Sequence, residues 1–193
     1  MHPKAMFLYG TNKEDGKPNF GLFTWITGCW TGEDSIMCCI GVGKPKPTQD
    51  RILAEGKFSA NLVTEAMLPL ADYLGNNSGY DPRKMDIPMN IGRGKVLDVP
   101  VLLDSPLIYE LEPIQRIPMA DNSDIFICKI WNVQTVNGLD LESESSPEPN
   151  CFDKLESLIS KYTPIMAVGR EYFALNPISK GRDGQWKGLR ESR

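Results

Sequence analysis

The stretch Phe20–Val42, FGLFTWITGCWTGEDSIMCCIGV, decides the reading of the fold. Phe20 to Thr27 is apolar, aromatic and β-branched, the composition of a strand that packs on one face. Ser35 to Val42, preceded by Asp34, is a continuous apolar run of strand length, which predicts a strand buried on both faces. Gly41, Gly43, Pro45 and Pro47 then break it. Upstream, Ala5 to Tyr9 is apolar. The polar segment Thr11 to Asn19 contains Asp15-Gly16 and Lys17-Pro18, so the chain predicts a hairpin that returns into Phe20–Thr27.

Downstream, the spacing predicts a short helix over Gln49–Glu55, with Thr48 as its N-cap, Ile52 and Leu53 on one side and Gly56 at the C-cap. Phe58 to Val63 reads as a strand and Thr64 to Leu74 as a helix. Pro69 delays its regular part to about Leu68, and Gly75 ends it. Asn76 to Asp86 is a loop rich in Asn, Ser, Gly, Asp and Pro, the kind of segment on which binding residues lie. Leu107–Ile117 and Ile125–Val136 form the long antiparallel pair around the turn Asp121–Asp124. In the second strand Ile125, Ile127, Lys129, Trp131 and Val133 share a face. Asp140–Asn150 reads as a solvated loop and Phe152–Ile159 as a short helix, followed by a polar tail from about Asn176. Many short strands and few short helices give a mainly β class: a barrel with helical decoration, in one domain over residues 1–193.

Composition narrows the function. A net charge of −4 with mixed signs supplies no field for a polyanion, so no nucleic-acid partner is expected. No apolar run approaches the roughly 20 residues of a bilayer span, and the first residues lack the apolar stretch of a signal peptide; the expectation is no membrane and a cytoplasmic location. Five cysteines without a Cys-x-x-Cys pair argue against a disulfide framework or a zinc site. Cys38, Cys39 and Cys128 read as buried thiols, and no metal is expected. His2 is the only histidine, which removes Ser-His-Asp, Cys-His and multi-histidine chemistry. No side chain is assigned a catalytic role. A bound cofactor would then supply the reactive atoms.

Gly41-Val42-Gly43 is not a dinucleotide fingerprint, because the third glycine and the long following helix are missing. Taken in order, however, a set of motifs is specific. It runs Asp15-Gly16-Lys17-Pro18-Asn19, Leu22 to Thr27, Ile36 to Val42, Lys44 to Thr48, then Gly56-Lys57-Phe58-Ser59-Ala60-Asn61-Leu62, and Tyr73-Leu74-Gly75, Ser78-Gly79 and Lys84. This succession resembles the flavin reductase-like family of FMN-binding split β-barrels, including its flavoredoxin-type members, over roughly Pro3 to Trp131. Tyr172 falls where the family's C-terminal strand would lie.

The resemblance implies a homodimer with FMN at the subunit interface. It places the cofactor on Thr24, Trp25, Ile26 and Thr27, on Gly41, and on Lys44, Lys46 and Thr48. Asn61, Leu62, Ser78, Gly79 and Lys84 complete the implied set. A phosphate in a nearly neutral protein needs hydroxyls, N–H groups and a few cations, and Thr24, Thr27 and the turn Lys44–Thr48 offer them. The same threonines and lysines also suit an ordinary strand and a solvated loop. Trp25 is either a cover for the flavin ring or barrel core, and Asn61 either meets the cofactor or bonds a neighbouring loop.

The implied activity is passage of hydride or electrons through FMN to a flavin or redox-protein acceptor. The family's C-terminal nicotinamide-binding histidine has no counterpart here. Either NAD(P)H or a redox protein therefore remains as partner. The Ser/Thr-rich segment and Pro-Pro pair of many flavin reductases are also replaced, by Gly28–Asp34. A non-catalytic β-barrel module that binds another nucleotide or a protein is the competing reading.

Overall fold

The structure, a computed structural model, describes residues 2–41, 44–120, 122–135 and 160–175. The expected acidic loop, the helix Phe152–Ile159 and the tail from Asn176 lie outside the described residues, as do Val42, Gly43 and Cys151.

The strands are β1 (Lys4–Ala5), β2 (Phe7–Asn12), β3 (Pro18–Phe23), β4 (Ile26–Trp30), β5 (Asp34–Ile40), β6 (Phe58–Leu62), β7 (Ile91–Arg93), β8 (Pro100–Leu102), β9 (Leu107–Ala120), β10 (Ser123–Thr135), β11 (Ile165–Val168) and β12 (Glu171–Ala174). The helices are α1 (Pro47–Glu55) and α2 (Leu68–Asn76), with a 3-10 turn at Glu65–Met67 leading into α2 and another at Pro82–Met85 after it. Seven strands form the main sheet in the order β3-β2-β6-β9-β10-β5-β4, and all of its pairings are antiparallel. The mainly β class with a few short helices is thus correct.

One expected strand divides. Phe20–Thr27 is not continuous: β3 ends at Phe23 and β4 begins at Ile26. The sheet order gives the reason. β3 and β4 are adjacent in sequence yet stand at opposite edges of the sheet, so the chain must leave one ladder before it joins the other. Thr24 and Trp25 make that crossing, and the Cys39 N–H donates to the Trp25 carbonyl at 2.9 Å. Among the described residues the two edges stay unpaired beside the crossing, which makes the barrel a split one.

The strands buried on both faces are β2 and β6, not β5. All six residues of β2 are buried. Phe7 and Tyr9 enter the barrel core with Ile36, Cys38, Phe58, Leu111, Phe126 and Cys128, while Met6 and Leu8 pack on the opposite side with Phe20, Val63, Ala71 and Leu74 beneath α2. In β5 only one face is closed. Ile36, Cys38 and Ile40 are buried, but Met37 is 36% exposed and Cys39 half-buried. Continuous hydrophobicity misled here because the outer face is apolar without being covered.

Helix α1 starts two residues earlier than expected. Lys46 is its N-cap and Pro47 takes the first turn, where a missing N–H costs nothing. Thr48 therefore lies inside the helix and makes no capping bond. Ile52 is buried, whereas Leu53 is exposed and does not share its face. Gly56 closes the helix at φ 66° with its N–H on the Ile52 carbonyl, as its position predicts. Helix α2 continues through Gly75 to Asn76. The β9–β10 turn is tighter than expected, with Ser123 already paired to Ala120 and Asn122 at φ 58°.

A buried carboxylate organises the far side of the sheet. Glu110 in β9 is fully buried and accepts hydrogen bonds from the N–H groups of Lys95 (2.8 Å), Val96 (3.0 Å) and Leu97 (2.5 Å). The Asn132 and Gln134 amides donate at 2.6 and 2.9 Å. Burial by itself would raise its pKa, but the bonds from Asn132 and from the three backbone N–H groups outweigh it and hold the carboxyl below its ordinary value. Glu110→Gln turns an amide group toward donors. Leaving two of them unsatisfied costs on the order of 2 kcal/mol or more at pH 7. Because the folded pKa is depressed, the advantage of wild type is complete above the unfolded value of about 4.3 and is lost as pH falls through the folded value. Urea denaturation at pH 7 and pH 3 measures both; equal stabilities at pH 7 would contradict this role for Glu110.

Candidate functional site

Two concavities border the crossing at Phe23–Thr24. The first has a volume of about 520 Å³ and is lined by Thr24, Trp25, Ile26 and Thr27, by Met37, Cys38 and Cys39 of β5, by Ile125 of β10, and by the segment His2–Ala5. Its wall is mostly hydrocarbon and sulfur with two threonine hydroxyls, the character of a site for a flat, largely apolar group. Trp25 is half exposed, and the Lys4 ammonium sits 4.8 Å from its ring centroid. Trp25 is thus wall, not barrel core.

The second is a cleft of about 230 Å³ on the other side of the crossing. Lys44, Pro45, Lys46, Pro47 and Thr48 form one wall, Leu74 to Gly79 another, and Gly21, Leu22, Phe23 and Lys84 complete it. Two close contacts bring the loop after α2 to this position. A Cβ on Gly79 would stand 3.0 Å from Pro47 Cγ, so only glycine lets the backbones approach without displacement. The Tyr80 hydroxyl donates to Asp50 at 2.7 Å and ties the loop to α1.

Lys84 is the unusual residue of this cleft. It is 4% exposed, and no carboxylate or other described side chain pairs with it. Burial, with the repulsion of Lys46 and Lys13, pulls its ammonium down to about 8. A buried cation surrounded by cations is costly unless an anion joins it. Nearby, Asn19 donates to Thr11 and Thr48 at 3.3 and 3.2 Å. Its buried Oδ1 has no partner and faces Gly79. The donor set suits a phosphate, and the apolar cavity suits a ring.

The structure therefore divides the expected site residues into three groups. Thr24, Trp25, Ile26 and Thr27 line the apolar cavity. Lys44, Lys46, Thr48, Ser78, Gly79 and Lys84 line the cationic cleft. Thr24 and Thr27 thus line a different concavity from the lysine turn, with the crossing between them. Asn61, Leu62 and Gly41 line neither concavity. Asn61 is fully buried and committed internally: its amide donates to the Leu8 carbonyl and Ser59 Oγ and accepts from the Leu102 N–H at 2.8 Å. Leu62 belongs to the barrel core. Gly41 has φ 89°, and a Cβ there would collide with the Asn122 carbonyl and Gln49 Oε1, so its role is conformational.

Sequence reasoning missed Lys4 and His2, which line the apolar cavity only because β1 pairs with β11 across a long separation. No local signal marks either of them. Among the described residues no three His, Cys, Asp or Glu side chains are grouped to hold a metal. Among the described residues, too, no helix is long and apolar enough to cross a membrane.

A model of the flavin reductase like domain matches residues 1–154, so the chain belongs to that family and is, in general terms, a flavin-dependent oxidoreductase. Solved structures share the split-barrel fold. The flavoredoxin of Desulfovibrio vulgaris (Miyazaki F) is 25% identical with a TM-score of 0.76, over 96% of this chain and 93% of that one. The flavoredoxin of Methanosarcina acetivorans has a TM-score of 0.77 at 17% identity, over 97% and 92%. An FMN-binding protein from Thermus thermophilus with bound p-hydroxybenzaldehyde has a TM-score of 0.72 at 19% identity, over 94% and 91%. No curated protein matches the chain.

The lowered pKa of Lys84 has a measurable sign. The penalty of burying its charge is complete below the folded value of about 8 and disappears above the unfolded value of about 10.4, where the side chain is neutral in both states. In buffers free of phosphate and flavin, Lys84→Met should raise the thermal midpoint at pH 7, with a gain that shrinks toward pH 10. A Lys84→Met protein that melts lower than wild type at pH 7 would show that the ammonium already has a stabilising partner.

Proposed function

We propose that the chain is an FMN-dependent oxidoreductase of the flavoredoxin and flavin reductase type. It would pass hydride or electrons from NAD(P)H or a redox protein to a flavin or redox-protein acceptor. The observation that carries the reading is the buried Lys84, which no described carboxylate pairs, in a cleft with Lys44 and Lys46 next to an apolar cavity walled by Trp25. FMN has both parts, a dianionic phosphate and a flat ring. When bound, it supplies a ring that takes up a hydride or two electrons and hands them on.

The residues of the chain do the rest. Lys84, Lys46 and Lys44 hold the phosphate by charge-assisted bonds, and the Ser78 hydroxyl adds a donor. Trp25 and Met37 flank the ring and exclude water, while Thr24 and Thr27 offer hydroxyls to its polar edge. No side-chain acid or base is assigned a step. The four described cysteines are free thiols, in keeping with work in a reducing cytoplasm.

The working unit is proposed to be a homodimer. Met37, Cys39, Ile117, Ile125 and Ile127 occupy one face of β5, β10 and β9, as the registers Ile127↔Met37, Cys39↔Ile125 and Ile125↔Ile117 require. Trp30 is 72% exposed on the edge strand β4. An apolar face continuous with the cavity wall favours a second copy that covers it and closes the cavity. Sedimentation at micromolar concentration should show a dimer; monomer with FMN bound would contradict it.

The phosphate assignment is tested by comparing ligands. Lys84→Met should weaken FMN at least about tenfold, one decade being about 1.4 kcal/mol, and leave riboflavin within about twofold. Loss of folding would weaken both ligands. Unchanged FMN affinity would place the phosphate elsewhere, and wild type that stays colourless with FMN would favour the non-catalytic module.

A further inference from the structure

The apolar cavity contains a charge that its wall does not balance. Lys4 is the only lysine or arginine among its lining residues, and there is no aspartate or glutamate among them. Among the described residues its side chain meets the Trp25 ring at 4.8 Å, and no carboxylate pairs with it. Lys4 is half-buried and held in place by the backbone, since β1 pairs Lys4 with Ala167 and Ala5 with Met166. An ammonium fixed against an indole face over a mostly hydrocarbon cavity acts through a lower effective dielectric than in water, so its field on any group in the cavity is strong.

We infer that Lys4 is a positioning residue for charge: it stabilises the two-electron-reduced flavin relative to the oxidised one and so raises the reduction potential of the bound cofactor. The inference rests on the placement of the flavin ring in this cavity. The balance is simple. A neutral ring that gains two electrons and one proton carries one negative charge, spread over its pyrimidine side. The oxidised ring carries none. Lys4 therefore has a differential interaction with the two states, and differential interaction is what shifts an equilibrium. Trp25 sets the orientation, because the cation–π contact keeps the ammonium at the wall.

The test compares wild type, Lys4→Met and Lys4→Arg as FMN-loaded proteins. Each is reduced anaerobically against a reference dye, and the affinities for oxidised and reduced FMN are obtained from the potential and from titration of the oxidised form. Lys4→Met is expected to weaken reduced FMN about tenfold more than oxidised FMN, which for a two-electron couple lowers the potential by about 30 mV. Lys4→Arg keeps the charge and is expected to stay within about threefold of wild type. Equal weakening of both forms by Lys4→Met would indicate lost packing only and would overturn the inference, as would an unchanged potential. Wild type that fails to bind FMN at all would instead overturn the cofactor assignment on which the inference stands.

Discussion

The arrangement depends on a topological constraint, that two strands adjacent in sequence occupy opposite edges of one sheet. Among the described residues β3 pairs only with β2 and β4 only with β5, so the two residues between them span the gap of the barrel. Thr24 and Trp25 cannot be part of a ladder there. Their side chains are thus available to line a cavity, and Phe23 just before them borders the cleft on the other side. The split of the barrel and the position of the site have one cause.

Two buried ionised groups show how the fold separates structure from function. Glu110 is surrounded by five donors and holds the loop at Lys95–Leu97 onto β9; its charge is satisfied within the chain. Lys84 is buried to a similar degree, with two lysines as its electrostatic neighbours and no carboxylate among the described residues paired with it. A satisfied buried charge is explained by the fold alone. An unsatisfied one that lines a cleft calls for an anion, and family membership supplies a flavin phosphate as the natural candidate.

Much of this was legible in the sequence, because the signals were local. The Asp15-Gly16 turn set the β2–β3 hairpin, Gly56 stopped α1, and the alternation in β9 and β10 gave the long pair. What failed was whatever depended on distant pairing. Phe20–Thr27 reads as one strand since nothing local tells Phe23 that its neighbour belongs to the opposite edge. The apolar run in β5 reads as doubly buried because periodicity cannot tell a covered face from one left open in a single chain. For the site, Lys44, Lys46, Thr48, Ser78, Gly79 and Lys84 converge as the motif order implied. Asn61 and Gly41 fell out, one consumed by the Leu8 and Leu102 backbone and one by a positive φ. Lys4 was invisible, as its place comes from a two-residue pairing with β11.

A crystal structure of the protein soaked with FMN should show a phosphate oxygen within hydrogen-bonding distance of Lys84 Nζ, with Lys44 or Lys46 beside it, and the flavin ring across the Phe23–Thr24 crossing against Trp25. Well-ordered FMN seated elsewhere, such as in the concavity of about 250 Å³ beside Arg116 and Asp124, would contradict this placement.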